Sequence, residues 1–161
     1  MDAPGLARQF GLAAFAVQQN TEGMTQEQSL CAPPAGGNCA NWVLGHIVHT
    51  RSAIAGLIGG EPFTGDDHEK LYGRGSAPIV DADKAVQTTE LLQHYGRSNE
   101  KLQAFLAGAT DEDLAQALPE PHEILGSTVG EALTAFAFHE AYHSGQLGIL
   151  RRVMGKPGAL S

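Results

Sequence analysis

The chain has 161 residues, enough for one domain with one sizeable core. Apolar residues make up 42% and charged residues 17%, a globular composition, and the net charge of −8 argues against binding nucleic acid, or an anionic membrane surface, through overall charge. No apolar run reaches the roughly 18–20 residues of a membrane span, and Met1 to Phe10 carries no basic segment followed by a long apolar stretch. The expectation is a cytoplasmic protein.

Four long helices are predicted. The first runs from Pro4 to Thr21, with Leu6, Phe10, Ala13 and Val17 on one apolar stripe. Cys31 and Cys39 follow in a Pro/Gly loop. Their spacing suggests neither a disulfide framework nor a redox C-x-x-C, so they read as reduced thiols, with Cys39 next to the following helix as the one alternative for a reactive group. The second helix runs from Cys39 to Leu57, with Asn38 as its N-cap and Gly59-Gly60 closing it. Gly60 to Val80 is then a long connection containing Asp66, Asp67, His68 and Tyr72, either a crossover between distant ends of a bundle or a lid over a site. The third helix is predicted from Ala82 to Leu106, capped by Asp81, with Leu92, Tyr95, Leu102 and Leu106 as its stripe. A helical turn from Asp111 to Ala117 is capped by Thr110. The fourth helix runs from Val129 to Met154, opened by a capping box of Thr128 and Glu131 and ended by Gly155 and Pro157. No β pattern competes, and the fold class is all-α, a four-helix bundle with a long loop between helices two and three.

The chemistry concentrates on the fourth helix. His139 and His143 lie at i and i+4, and they share one side of the helical wheel with Ala132, Phe136, Leu147 and Leu150. Two imidazoles on an otherwise apolar face must still satisfy two ring nitrogens each, and one divalent cation satisfies an acceptor on both rings at once. The competing interpretation is a pair of core histidines bonded to backbone or to neighbouring side chains. The same residues spell H-E-x-x-H, a zinc-peptidase signature with Glu140 as base, but the extended form of that signature needs Gly and His where this chain has Gln146 and Ile149. No Asp, Glu or His follows His143, so a third ligand has to come from upstream. Glu140-x-x-His143 also matches half of a di-iron carboxylate site, without a second copy. On the second helix, Trp42, His46, His49 and Ala53 cluster on one side, and either His46 or His49 can reach the bundle core. Gly45 and Gly56 allow a neighbour to come close.

Asn41-Trp42 through Gly45-His46-Ile47, together with His139-x-x-x-His143-x-Gly145-Gln146-Leu147, resembles the DinB/YfiT-like family. The resemblance implies a four-helix bundle holding a divalent metal with three histidines, here His46, His139 and His143, and it favours His46 over His49. Zinc and nickel are the leading ions, with iron, manganese or copper as alternatives. Characterised relatives include S-transferases and isomerases that use bacillithiol, mycothiol or glutathione, so the resemblance implies a thiol-dependent S-transferase with a low-molecular-weight thiol cosubstrate and a metal-bound thiolate. A hydrolase using metal-bound water and a non-catalytic metal-binding bundle are the alternatives. Glu140 is a candidate proton acceptor or hydrogen-bonding partner behind a ligand, with a solvated or capping glutamate as the plainer interpretation, and His49 is a candidate for orienting a substrate or a ligand. Gln146 is expected to pack or hydrogen-bond near the site and Asn99 to face the cavity or the helix edge. His68, His94 and His122 are expected at the surface. Small-residue faces on helices two and four suggest a homodimer.

Overall fold

The computed structural model describes residues 1–79 and 81–160, so Val80, the end of the predicted connection, lies outside the described residues. Four long helices form the frame: α1 (Ala3–Thr21), α3 (Ala40–Leu57), α5 (Thr88–Gly108) and α7 (Val129–Val153). Shorter helices lie between them: α2 (Gln26–Ser29), α4 (Asp66–Tyr72) and α6 (Asp111–Ala115). None of the described helices is long and apolar enough to cross a membrane. The all-α bundle is as predicted.

Each long helix packs on two neighbours, in the cyclic order α1, α7, α3, α5. Asn41, at the start of α3, donates to the carbonyl of Val86 just before α5, and Arg51, midway along α3, donates to Asn99 midway along α5. These two helices therefore run in the same direction. The connection between them must return the chain by about 27 Å, at 1.5 Å per residue over the 18 residues of α3. That is the physical reason for its length, and it answers to the crossover interpretation.

Local chemistry sets the helix ends. Asp2 accepts from the Gly5 amide to open α1, and Leu6, Phe10, Ala13 and Val17 are buried along it as predicted. Both legs of the Thr128/Glu131 capping box are formed at the start of α7. Three expectations need correction. The cap of α3 is Cys39 rather than Asn38, and it makes no side-chain bond. Asp81 caps only one 3-10 turn, Ala82–Lys84, and α5 starts six residues after Ala82 because the Val86 amide and carbonyl are held by Tyr72 Oη and Asn41 Nδ2. Finally, the absence of β structure does not hold: β1 (Ala117–His122) and β2 (Gly126–Thr128) form an antiparallel hairpin. Pro119 and Pro121 hid it, since proline removes ladder donors and strands tolerate it only at edges.

The core has two apolar clusters. One gathers Val17, Trp42, Leu44, Leu91 and Leu147, the other Leu6, Phe10, Ile54, Leu102 and Leu133. Leu91 is fully buried where the sequence stripe named Leu92, which is only half-buried. Between the clusters lies a buried ion pair. The Arg51 guanidinium, 1% exposed, donates through Nε to Glu140 Oε2 at 2.5 Å and through Nη2 to Glu140 Oε1 at 2.7 Å. Its carbon lies 5.0 Å from the Phe10 ring centroid and 5.1 Å from that of Tyr95, so the rings of both clusters sandwich the cation.

Candidate metal centre

Three imidazoles converge where α3 and α7 face each other, well inside both helices. His46 Nε2 lies 3.0 Å from His139 Nε2, and His143 Nε2 lies 3.1 Å from the same atom. The ligand atoms of His46, His139 and His143 all lie within 4.8 Å of one another. His139 and His143 meet because residues four apart stack on one helix face. His46 reaches them from the antiparallel neighbour.

The tautomers are fixed from behind. His46 Nδ1 lies 2.6 Å from the carbonyl oxygen of Tyr72. A carbonyl only accepts, so Nδ1 carries the proton and Nε2 presents a lone pair. His143 Nδ1 donates in the same way to Gln146 Oε1 at 2.7 Å, which gives Gln146 the hydrogen-bonding role expected of it. Two lone pairs are thus aimed at His139 Nε2. A neutral His139 has one proton, and it can satisfy at most one of them. Nor do extra protons relieve the crowding. Burial lowers His46 below the ordinary histidine value, partly opposed by the Tyr72 carbonyl. Burial, reinforced by His143 and His46, lowers His139 to about 4, and burial also lowers His143. A neutral, acceptor-rich cluster of this kind fits a divalent ion. Nitrogens about 2.0–2.1 Å from a tetrahedral centre stand roughly 3.3 Å apart, close to the 3.0 and 3.1 Å from His139 Nε2 to the other two. No fourth His, Cys, Asp or Glu joins the cluster among the described residues.

Why the second-helix motif has its particular residues is visible around Tyr72. A Cβ on Gly45 would meet the Tyr72 ring at 2.2 Å, so only glycine leaves the notch that this ring fills. Tyr72 Oη donates to Asn41 Oδ1 and accepts from the Val86 amide, both at 2.9 Å. Trp42 stacks on His46 with ring centroids 4.9 Å apart, and its Nε1 donates to Ser76 Oγ at 2.9 Å. Asn41, Trp42 and Gly45 therefore dock α4 and the turn after it, and that docking presents the Tyr72 carbonyl to His46. Tyr72 and Ser76 are positioning residues that sequence reasoning did not identify as such. The G-H pair of the motif was the available signal, since a helical glycine beside a candidate ligand implies something packed close.

The other predicted residues separate. Glu140 is 1% exposed, which excludes a solvated carboxylate, and both its oxygens are engaged by Arg51, with Tyr95 Oη donating to Oε1 at 2.7 Å. Burial tends to lower Arg51, but the Glu140 carboxylate more than offsets it and holds the guanidinium above its usual value. Burial and the same carboxylate raise Tyr95. Asn99 accepts from Arg51 at 3.3 Å and belongs to this network. His49 borders the histidine cluster, and its Nδ1 is buried without a hydrogen-bond partner among the described residues. Of the three histidines expected at the surface, only His122 is exposed. His68 and His94 are half-buried, His68 against Tyr72 and His94 against Phe63.

A cleft of about 560 Å³ opens beside the three imidazoles, within the usual range for a small-molecule site. Its walls come from α3, from the turn after α4, from the hairpin tip and from α7. A larger hollow between α1 and α5, about 740 Å³, contains no histidine.

No curated protein matches the chain. The crystal structure of a conserved protein from Enterococcus faecalis superposes with a TM-score of 0.72 over 97% of this chain and 99% of that one, at 16% identity, a likeness of fold. The family model of the DinB superfamily matches residues 12–147, a span that contains all three histidines. The chain belongs to the DinB superfamily.

Proposed function

We propose that His46, His139 and His143 hold one divalent ion through their Nε2 atoms, and that the protein is a metal-dependent enzyme for a small molecule bound in the adjoining cleft. The observation that carries this reading is the convergence of three Nε2 atoms with two tautomers fixed by Tyr72 and Gln146. Zinc and nickel suit an all-imidazole set. When bound, such an ion supplies Lewis acidity, making a thiol or water acidic enough to act as a nucleophile near neutral pH.

Of the two nucleophiles, the thiol is our reading, and the protein is then a thiol-dependent S-transferase. The family resemblance suggests it, and the placement of Glu140 supports it. In a peptidase the carboxylate at the H-E-x-x-H position serves as the base for water, and here it is held in the core by Arg51. No Asp or Glu lines the cleft. A thiol ionises far more readily than water and needs no such base. The side chains of this protein then bind and orient: Tyr72 and Gln146 hold two imidazoles in register, and the cleft walls receive the acceptor.

The test takes purified protein, metal analysis and a substrate panel. Metal content of about one ion per chain is expected, with turnover of a chlorodinitrobenzene-type electrophile that requires both the ion and a low-molecular-weight thiol. Hydrolysis of an activated ester without thiol, at a comparable rate, overturns the transferase reading. Absence of bound metal at neutral pH overturns the reading as a whole.

A further inference from the structure

The polar groups of the cleft, apart from the three converging imidazoles, are biased toward donors. Arg74 lies in the turn after α4 and lines the cleft, and it forms no ion pair among the described residues. His122, at the end of β1, accepts from the amides of Ile124 and Leu125 at 3.0 and 3.3 Å through Nδ1. Its proton therefore sits on Nε2, and the ring presents a donor at the cleft rim. None of the 18 acidic residues of this acidic chain lines the cleft. The remaining walls are largely apolar, with Ala53, Ile124, Leu125, Ala135 and Phe136 among them.

One permanent cation without an ion pair among the described residues, a second donor on another element, and apolar walls in the same cleft describe a site for a monoanion with a hydrophobic body. A guanidinium pairs with a carboxylate through two parallel bonds, whereas a phosphate dianion calls for more positive charge than one arginine. We infer that the cleft takes a small carboxylate carried on an apolar body, with Arg74 as its anchor and His122 as a second donor. This deepens the proposed function by naming the substrate class, and it rests on that reading only for which end of the molecule reacts. Arg74 and His122 belong to the long connection and to the hairpin. Selectivity is thereby placed on two elements outside the four-helix frame.

The test measures binding, so that it does not depend on turnover. The full chain, zinc-loaded and separately chelator-treated, is titrated calorimetrically with 3-phenylpropionate and with its uncharged amide. In wild type the acid is expected to bind about tenfold or more tighter than the amide, the scale of one charge-assisted hydrogen-bonded pair. In Arg74→Gln the ratio is expected to fall to about threefold or less, and in Arg74→Lys to recover most of its value. Zinc content should be the same in all three proteins, since Arg74 makes no bond to the histidine cluster. An acid that instead binds the ion directly keeps its advantage in Arg74→Gln, and that result overturns the inference. So does an acid-to-amide ratio near one in both metal states. If the protein holds no zinc but an Arg74-dependent ratio persists, the cleft assignment stands and the metal reading alone fails.

Discussion

His139 and Glu140 are consecutive in sequence and serve different parts of the molecule. His139 faces the cleft and meets two other imidazoles at 3.0 and 3.1 Å. Glu140 faces the core, 1% exposed, and closes an ion pair with Arg51. Consecutive helical residues point about 100° apart, so the string H-E-x-x-H holds its two histidines together and turns its glutamate away from them. In a zinc peptidase that glutamate must reach the metal-bound water. Here the bundle contributes a buried arginine on α3 that captures it. The letters of a motif are thus compatible with two architectures, and the partner on the facing helix decides between them.

Breaking the core half of this comparison should have the largest effect. Glu140→Gln leaves the Arg51 charge buried without its counter-charge, which costs about 3–5 kcal/mol. For a chain of this size that is a fall in Tm of roughly 6–20 °C, read by calorimetry on metal-free protein. Zinc content per folded chain should remain near one. Loss of zinc with an unchanged Tm would place Glu140 in the site instead. Breaking the other half should do the reverse. His143→Ala should reduce zinc content to a small fraction of one per chain, while the metal-free protein loses only about 1 kcal/mol, as expected for a side chain at the edge of the core.

Those two histidines were legible because spacing and apolar periodicity act within one helix, where sequence distance and spatial distance correspond. His46 could be named only through the family motif, because the approach of α3 to α7 is a tertiary fact. The burial of Glu140 was not legible for the same reason, since its partner Arg51 is 89 positions away and carries no local signature. The α5 start was misread because a good N-cap, Asp81, was taken as sufficient. Tyr72 and Asn41 compete for the backbone of Val86, and tertiary hydrogen bonds decide where the helix begins. The hairpin was missed because its two prolines signal loop, and Gly126 at φ +82° supplies the turn without an Asn-Gly or Asp-Gly pair.

The comparison sharpens at the motif glycine. Gly45→Ala pushes a methyl into the Tyr72 ring, shifts α4, and withdraws the carbonyl that orients His46. A stability loss of about 1–3 kcal/mol is expected, with zinc affinity weakened roughly 10–100-fold in a chelator competition, as for loss of a group behind a ligand. A stability loss at full zinc affinity would show that the Tyr72 carbonyl does not position His46.

A pH dependence of stability follows from the same burial. Burial, helped by neighbouring histidines, holds His68 and His139 down to about 4 in the folded chain, against about 6.5 unfolded. Between those values the unfolded chain binds more protons than the folded one. Stability of the metal-free protein should therefore decline as pH falls from about 6.5 toward 4, with these groups contributing no slope above about 7. Urea midpoints across that range test this. His68→Gln should flatten part of the decline, and an identical slope in the variant would remove His68 from the account.

The central claim is that one ion sits among the imidazoles of α3 and α7. Anomalous diffraction at the zinc edge from crystals grown with zinc tests it most directly. The account predicts one strong peak about 2.0–2.1 Å from Nε2 of His46, His139 and His143. A peak elsewhere, or none there while the three rings keep their positions, would contradict it.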